Sequence, residues 1–135
     1  MPLENAMSVS ASGLKAQAMR MQVIAENLAN KDAVADTAGG LPYRRRMVTF
    51  GAELDRATGM TGVGVTGVRA DLTPFGTRYE PGHPAANAEG YVTTSNVNAL
   101  VEMTDMTEAQ RSYQANLSAI EAAKALAMRT IDLLR

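Results

Sequence analysis

The chain has 135 residues, with no cysteine and one histidine, and its 13 basic and 14 acidic residues give a formal net charge of −1. The lack of cysteine excludes thiol catalysis, disulfides and thiolate metal sites, and a single histidine excludes a multi-histidine metal centre. A charge balance near zero does not favour nonspecific nucleic-acid binding. Apolar residues make up 46% of the chain but aromatics only 4%, which favours narrow helix–helix seams over a thick sheet core.

No segment of the sequence has the pattern of a membrane span or a cleaved leader. No run approaches the roughly 18 consecutive apolar residues of a transmembrane helix. The N-terminal segment lacks the basic start and apolar core of a secretory signal. We therefore expect neither a membrane anchor nor a Sec-type signal peptide.

Residues 1–30 are predicted to form an N-terminal helix with a heptad apolar seam. Larger side chains recur every seven residues at one position and alanines at the alternate position: Met7, Leu14, Met21 and Leu28, and Ala11, Ala18 and Ala25. Because Ser8, Ser10, Ser12 and Gly13 are weak helix formers, this helix would be marginal alone in water. The helix therefore needs a partner to cover its seam.

Residues 96–135 are predicted to form a longer C-terminal helix with a matching seam. The seven-residue spacing runs through Met106, Tyr113, Ile120, Ala127 and Leu134, with Leu117 and Ile131 on the alternate position. Asn98 is the expected N-cap. Such a helix would be about 50 Å long, which is too long for its seam to be buried within a compact chain of this size.

The middle segment, residues 31–95, differs in character because it holds four of the five prolines and ten of the eleven glycines. The runs 43–50 and 63–72 are rich in β-formers and predict strands, whereas residues 33–40 are interpreted as a flexible loop. Pro81 and Gly82 predict a type II turn within a turn cluster.

These segments predict a mainly α protein with a small β/loop insertion. Its domain organisation is an N-terminal helix over 1–30, a β/loop segment over 31–95 and a C-terminal helix over 96–135. The two helices are expected to pair as a coiled-coil-like bundle. Periodicity alone leaves open whether they form a hairpin that folds on itself or also pair with neighbouring copies.

The chemically active residue types do not assemble into a recognisable catalytic or ligand-binding motif. His83 lies between Gly82 and Pro84 without a GxSxG-type nucleophile elbow, so we interpret it as a turn residue that bonds to backbone. The basic run Arg44–Arg46 is interpreted as a solvated strand face or a partner for acidic residues, in preference to an anion or nucleic-acid site. No phosphate loop or calcium loop is present. We therefore predict no catalytic residue, metal ligand or cofactor.

Five stretches of the sequence carry recognisable motifs. Ile24–Asn30 reads IAENLAN, and Tyr43–Phe50 reads YRRRMVTF. Tyr79–Tyr91 reads YEPGHPAANAEGY, Ser95–Asn98 reads SNVN, and Glu102–Leu134 contains EAQRSYQANL. The first stretch resembles a signature of bacterial flagellar axial proteins. Together the stretches cover most of the chain in order and resemble the proximal-rod members of the flagellar basal-body rod family.

The sequence departs from the family pattern at two places. Ser95 stands where the family usually has proline, and the loop KDAVADTAGG over 31–40 differs from the common form. Both departures concern turns and leave the two helices untouched.

The resemblance implies a non-enzymatic structural subunit of the bacterial flagellar basal body. Members of the family are exported without a cleaved signal through the flagellar type III apparatus, and they assemble in the periplasm into a helical, torque-transmitting rod. The implied partners are copies of the chain, other rod proteins, the export apparatus, and the MS ring with adjacent basal-body proteins. No small-molecule substrate or nucleic acid is implied, and the terminal segments are expected to order on assembly.

The heptad seams are the expected subunit interface, because a helical rod needs contacts that do not close on themselves. Asn27 and Asn30 are expected to end the first helix and to bond neighbouring backbone. The expected interface residues are Met7, Ala11, Leu14, Ala18, Met21, Ala25, Asn27, Leu28, Asn30, Met106, Tyr113, Leu117, Ile120, Ala127, Ile131 and Leu134.

Three alternatives remain at this point. The chain could be another flagellar axial subunit of the rod or hook, although the PGHP string at 81–84 argues against it. It could be a cytoplasmic helical adaptor or secretion chaperone, or a hydrolase that uses His83. A stably folded monomer with fully helical termini would favour the adaptor.

Overall fold

The computed structural model describes residues 2–135 of the chain. Helix α1 spans Pro2–Ala29 and helix α2 spans Ala99–Leu133. Four strands lie between them: β1 over Arg46–Asp55, β2 over Met60–Ala70, β3 over Gly76–Tyr79 and β4 over Tyr91–Thr94. This order confirms a mainly helical chain with a short β-rich middle. Neither helix in the described part of the chain combines the length and apolar character that crossing a bilayer requires.

The chain divides into two compact units that do not follow its linear order. The first unit combines the chain up to Met21 with Val48–Gly67 and Met106–Arg135. The second unit combines Gln22–Met47 with Val68–Asp105. Each unit therefore draws on all three of the segments into which the sequence was divided.

In the first unit, the two helices approach each other in antiparallel fashion. Arg20 on α1 lies 3.5 Å from Glu108 on α2. A Cβ built on Gly13 would lie 2.7 Å from the Asn116 side chain. As residue numbers fall along α1 they rise along α2, which defines the antiparallel direction. Gly13, a weak helix former, allows this close approach, because a Cβ there would displace the Asn116 side chain. Coiled-coil packing between these helices stays a prediction.

The β1–β2 hairpin of the first unit is attached to α1 through Ser12. The Ser12 hydroxyl donates a 2.6 Å hydrogen bond to the Val9 carbonyl and accepts one of 3.0 Å from the Val63 backbone N–H. Gly62 leaves room for this contact, because a Cβ there would lie 2.5 Å from Ser12 Oγ. Ser12, although a weak helix former, therefore attaches the hairpin to α1.

The two strands of this hairpin lie close to the predicted β-forming runs. They are hydrogen-bonded neighbours, and a connection of only four residues requires them to be antiparallel. Asp55 stabilises the connection by accepting hydrogen bonds of 2.9 Å from the Ala57 backbone N–H and the Thr58 hydroxyl. Gly59 completes the turn with a φ of 71°.

The second unit contains a smaller sheet in which β3 and β4 pair antiparallel, with Gly76 opposite Thr94 and Tyr79 opposite Tyr91. Val34 forms a bridge with Thr94 on β4. The Ala35 backbone N–H also donates to the Thr93 carbonyl.

The interpretation of residues 33–40 as a flexible loop is therefore wrong for its first residues. Local composition predicted a loop, but tertiary pairing with β4 orders the chain there. Ala35 packs in a small apolar cluster with Ala85 and Val92.

The turn cluster also differs in detail from expectation. The His83 N–H bonds to the Glu80 carbonyl at 3.0 Å, but Gly82 does not have the positive φ that a type II turn requires. The type II prediction is therefore wrong. The interpretation of His83 as a turn residue is confirmed, since its Nδ1 accepts a 3.0 Å hydrogen bond from the Ala85 N–H.

The predicted N-cap of the C-terminal helix is confirmed. Asn98 Oδ1 accepts hydrogen bonds from the backbone N–H groups of Leu100 at 3.0 Å and Val101 at 3.4 Å. These are two of the donors that a helix N-terminus leaves without intrahelical partners.

We expect Asn98→Ala to lower the free energy of unfolding by about 1 kcal/mol, because both N–H groups lose their acceptor. Asn98→Asp, which keeps an acceptor oxygen, serves as the matched control and should stay near the wild-type value. Urea denaturation of the purified chain measures both. Equal losses in the two variants would show that the cap does not stabilise the helix.

Candidate functional site

The interior of the second unit is organised around polar side chains. The three largest fully buried side chains of the described residues are those of Glu102, Val92 and Asn27, of which two are polar. Buried polar groups are costly unless they are hydrogen-bonded. The partners of Asn27 and Glu102 therefore define the structural centre of this unit.

Asn27 uses its full hydrogen-bonding capacity within the chain. Its Nδ2 donates to the Arg46 carbonyl at 2.8 Å and to Glu102 Oε2 at 3.2 Å. Its Oδ1 accepts from the Tyr43 hydroxyl at 2.7 Å and from the Arg46 N–H at 3.0 Å. An asparagine amide offers two donors and about two acceptor sites, so no capacity is left for a further partner.

Arg45 binds three carboxylates with its three guanidinium nitrogens. Its Nε donates to Glu102 Oε1 in a short contact, its Nη1 lies 3.1 Å from Asp71 Oδ2, and its Nη2 lies 3.2 Å from Asp105 Oδ2. The Arg45 side chain is 15% exposed and that of Glu102 is 0% exposed. We refer to Asn27, Tyr43, Arg45, Asp71, Glu102 and Asp105 as the Arg45 network.

Backbone hydrogen bonds hold the segments that carry this network. The Arg45 N–H donates to Asn96 Oδ1 at 2.7 Å, and Asn96 Nδ2 donates to the Asp71 carbonyl at 3.0 Å. The Asp71 N–H in turn donates to the Arg45 carbonyl at 2.8 Å. Three distant parts of the sequence are therefore fixed to one another at Arg45.

The two neighbouring arginines have different partners. The Arg44 guanidinium lies 4.1 Å from the centre of the Phe75 ring, a cation–π geometry. Arg46 pairs with Glu26 at 3.1 Å, and both side chains are substantially exposed. For Arg45 and Arg46, the interpretation of the basic run as a partner for acidic residues is confirmed.

The network shifts the pKa values of three of its members. A hydrogen bond from the Thr73 backbone N–H is the main factor that lowers the pKa of Asp71 below 3.8, and Arg45 adds to it. Burial raises the pKa of the Tyr43 hydroxyl. Burial alone would lower the pKa of Arg45, but hydrogen bonds with Glu102 and Asp71 outweigh it and raise the pKa.

This arrangement is suited to holding chain segments together. Breaking a buried ion pair is costly because the remaining charge is left without a partner, so the network favours one arrangement of the four chain segments that carry it. Within residues 2–135, the structure brings together no group of three or more histidine, aspartate or glutamate residues that could hold a metal ion.

The expected interface residues differ widely in exposure. Ten are partly buried: Met7, Leu14, Met21, Leu28, Asn30, Met106, Tyr113, Leu117, Ile120 and Ala127. Five are exposed: Ala11, Ala18, Ala25, Ile131 and Leu134. Asn27 alone in the set is fully buried. Asn30 Nδ2 donates to the Glu26 carbonyl at 2.8 Å at the end of α1.

The most buried residues of both helices lie beside the predicted seams, and of them only Asn27 is among the expected interface residues. On α2 they include Glu102, Ala109 and Ala123, which share a seven-residue spacing. On α1 the buried positions are Gly13, Ala16, Val23, Ile24 and Asn27. Apart from Val23 and Ile24, these residues are small or polar. A search for heptads of small and polar residues could have found this inner stripe.

Comparison with known proteins gives the class of the chain. Residues 7–39 match the family model described as flagella basal body rod protein. Residues 88–133 match the model described as flagellar basal body rod FlgEFG protein C-terminal. Both matches define a flagellar basal-body rod protein.

Full-length relatives identify the family more closely. The chain is 46% identical to the flagellar basal-body rod protein FlgC of Agrobacterium fabrum, covering 99% of this chain and 96% of the relative. It is 40% identical to FlgC of Salmonella typhimurium, with 98% of both chains covered. It is 37% identical to FlgC of Bacillus subtilis, with 96% of both covered. The chain belongs to the FlgC family of flagellar basal-body rod proteins, a structural family, in agreement with the non-enzymatic prediction.

We expect Glu102→Ala to lower the free energy of unfolding by about 1.5–3 kcal/mol, because it removes charged hydrogen bonds from the partly buried Arg45 and from Asn27. Glu26→Ala is the matched control, since it removes a helical glutamate from an exposed pair with Arg46 and should cost less than about 1 kcal/mol. Urea denaturation measures both values. Similar losses would contradict a central role for the Arg45 network.

We expect the stability of the wild-type chain to fall as the pH drops below 3.8 through the lowered pKa of Asp71. The folded state holds this carboxylate deprotonated, so its contribution is present above pH 3.8 and is lost under acid. Asp71→Asn should show a shallower decline over the same range. Urea denaturation at a series of pH values tests this, and identical slopes would contradict it.

Proposed function

We propose that this chain is a structural subunit of the proximal rod of the bacterial flagellar basal body. The full-length similarity to relatives named as basal-body rod proteins carries the proposal. In this role the chain packs against copies of itself and other rod proteins and transmits torque through these contacts. Its contribution is mechanical, by cumulative burial of apolar surface.

The small number of buried apolar residues supports an assembled state. Only eight hydrophobic residues of the described chain are buried, and five of these are alanines. A chain with so small an apolar core gains stability by burying further surface against neighbours.

The distribution of apolar residues along α2 supports the same role. Ile131 is 56% exposed and Leu134 is 83% exposed, although both follow the heptad spacing. Small residues occupy the inner stripe of the helices, so the larger side chains of the heptads are left partly free. These side chains are the proposed contacts between subunits.

Several further parts of the proposal are supported by family membership alone. The chain would pass through the flagellar type III export apparatus and assemble within the periplasmic part of the basal body. Its neighbours there would include the MS ring and adjacent basal-body proteins. Terminal helix turns with few internal contacts would order during assembly.

We expect Ile131→Asp to prevent incorporation into the rod, because a carboxylate at a buried subunit contact lacks a partner. Leu72→Asp is the matched control, since Leu72 is an exposed leucine of the second unit. Motility and the protein composition of isolated basal bodies measure the effect. The control should swim and the variant should not.

Two outcomes would contradict the proposal. One is the Ile131→Asp chain in intact rods at the normal amount. The other is the complete absence of the wild-type chain from detergent-extracted basal bodies.

A further inference from the structure

The first unit contains a groove where the β1–β2 hairpin lies on α1. Its volume is about 420 Å³. One wall is formed by Ser12, Lys15, Ala16 and Met19, which lie on one face of α1, and the other wall includes Glu53 and Val63 of the hairpin. The groove combines an apolar floor with one positive and one negative side chain.

The last turns of α2 carry a surface with complementary chemistry. Leu126, Arg129 and Leu133 follow a spacing of three and four residues and therefore share one helix face. Both leucines are exposed, Leu133 at 87%. Asp132 lies beside Arg129 at the edge of this face. We call these residues the α2 tail.

The charged groups of the two surfaces have no partners of their own. Among the residues that the structure describes, Lys15 and Glu53 of the groove make no ion pair or side-chain hydrogen bond. The same holds for Arg129 and Asp132 of the tail. Lys15 can therefore pair with Asp132, and Glu53 with Arg129.

The α2 tail cannot fill the groove of its own chain. Gly13 beside the groove is opposite Asn116, and Leu133 lies 17 residues further along the same helix. At 1.5 Å per residue this separates Leu133 from that point by about 25 Å. A continuous helix cannot fold back over this distance, so the occupant must come from another molecule.

We propose that the groove lined by Lys15, Met19 and Glu53 receives the α2 tail of a second copy of this chain. The proposal rests on the proposed rod function and specifies one of its contacts. Because groove and tail are different patches, the contact is head-to-tail and leaves a free groove and a free tail at the two ends. Repetition of such a contact extends an open assembly.

Cysteine crosslinking tests this contact directly, because the chain has no cysteine of its own. We expect Met19→Cys combined with Leu133→Cys to give a ladder of disulfide-linked multimers in isolated basal bodies, since bridging requires Cα atoms within about 7 Å. The single-cysteine variants and Met19→Cys with Leu72→Cys should give no ladder. A double variant that is present in basal bodies without forming multimers would overturn the proposal and leave the rod function intact.

Charge reversal provides a second test that needs no cysteine. Lys15→Glu should reduce the amount of the chain in basal bodies, and adding Asp132→Lys in the same chain should restore it. A single variant with wild-type incorporation, or a double variant without recovery, would overturn the contact. Absence of the wild-type chain from basal bodies would instead refute the proposed function.

Discussion

The buried contact between Arg45 and Glu102, completed by Asn27, is the interaction on which the second unit depends. It joins a residue of α1, a residue just before β1 and a residue of the first turn of α2. The buried apolar residues of this unit are few, so it has little apolar area to bury; they are Val23, Ile24, Ala35, Ala85 and Val92. The hydrogen bonds and ion pairs of the Arg45 network therefore stabilise one arrangement of this unit.

Because the buried positions of the helices are occupied mainly by small residues, the larger apolar side chains are left at the surface. Glycine and alanine occupy the inner stripe of the helices, as at Gly13 and Ala109, and allow the helices of the first unit to approach closely. The larger residues of the heptads lie to the side and stay partly exposed. In an isolated monomer this exposure has no function, and under the proposed function it supplies the contacts between subunits of the rod.

The parts of the fold that depend on local sequence could be predicted. Seven-residue spacing located both helices, Asn98 was identified as a cap, and the β-forming runs located the hairpin. The errors lie where tertiary contacts override local preference. Residues 33–35 have the composition of a loop but pair with β4. Gly82 follows a proline as in a type II turn, but its φ is not positive.

The Arg45 network could not be predicted in the same way, because its members are far apart in sequence. The local sequence predicts Asn27 only as a helix-ending residue and Arg45 only as part of a solvated strand face or a partner for acidic residues. It does not distinguish Glu102 from the other acidic residues near the start of α2. The seven-residue spacing of Glu102 to Ala109, Asn116 and Ala123 is the signal that marks the inner stripe. Heptad analysis weighted towards large apolar residues selected the neighbouring stripe instead.

Hydrogen–deuterium exchange of the free chain and of the chain in isolated basal bodies tests the central claim most directly. The account predicts that amides near Asn27, Arg46 and Glu102 exchange slowly in both states, because the Arg45 network stabilises this region even when no other subunit is bound. Amides in the last turns of α2 should exchange quickly in the free chain and slowly in basal bodies. Slow exchange of those last turns in the free monomer, or fast exchange around Glu102, would contradict the account.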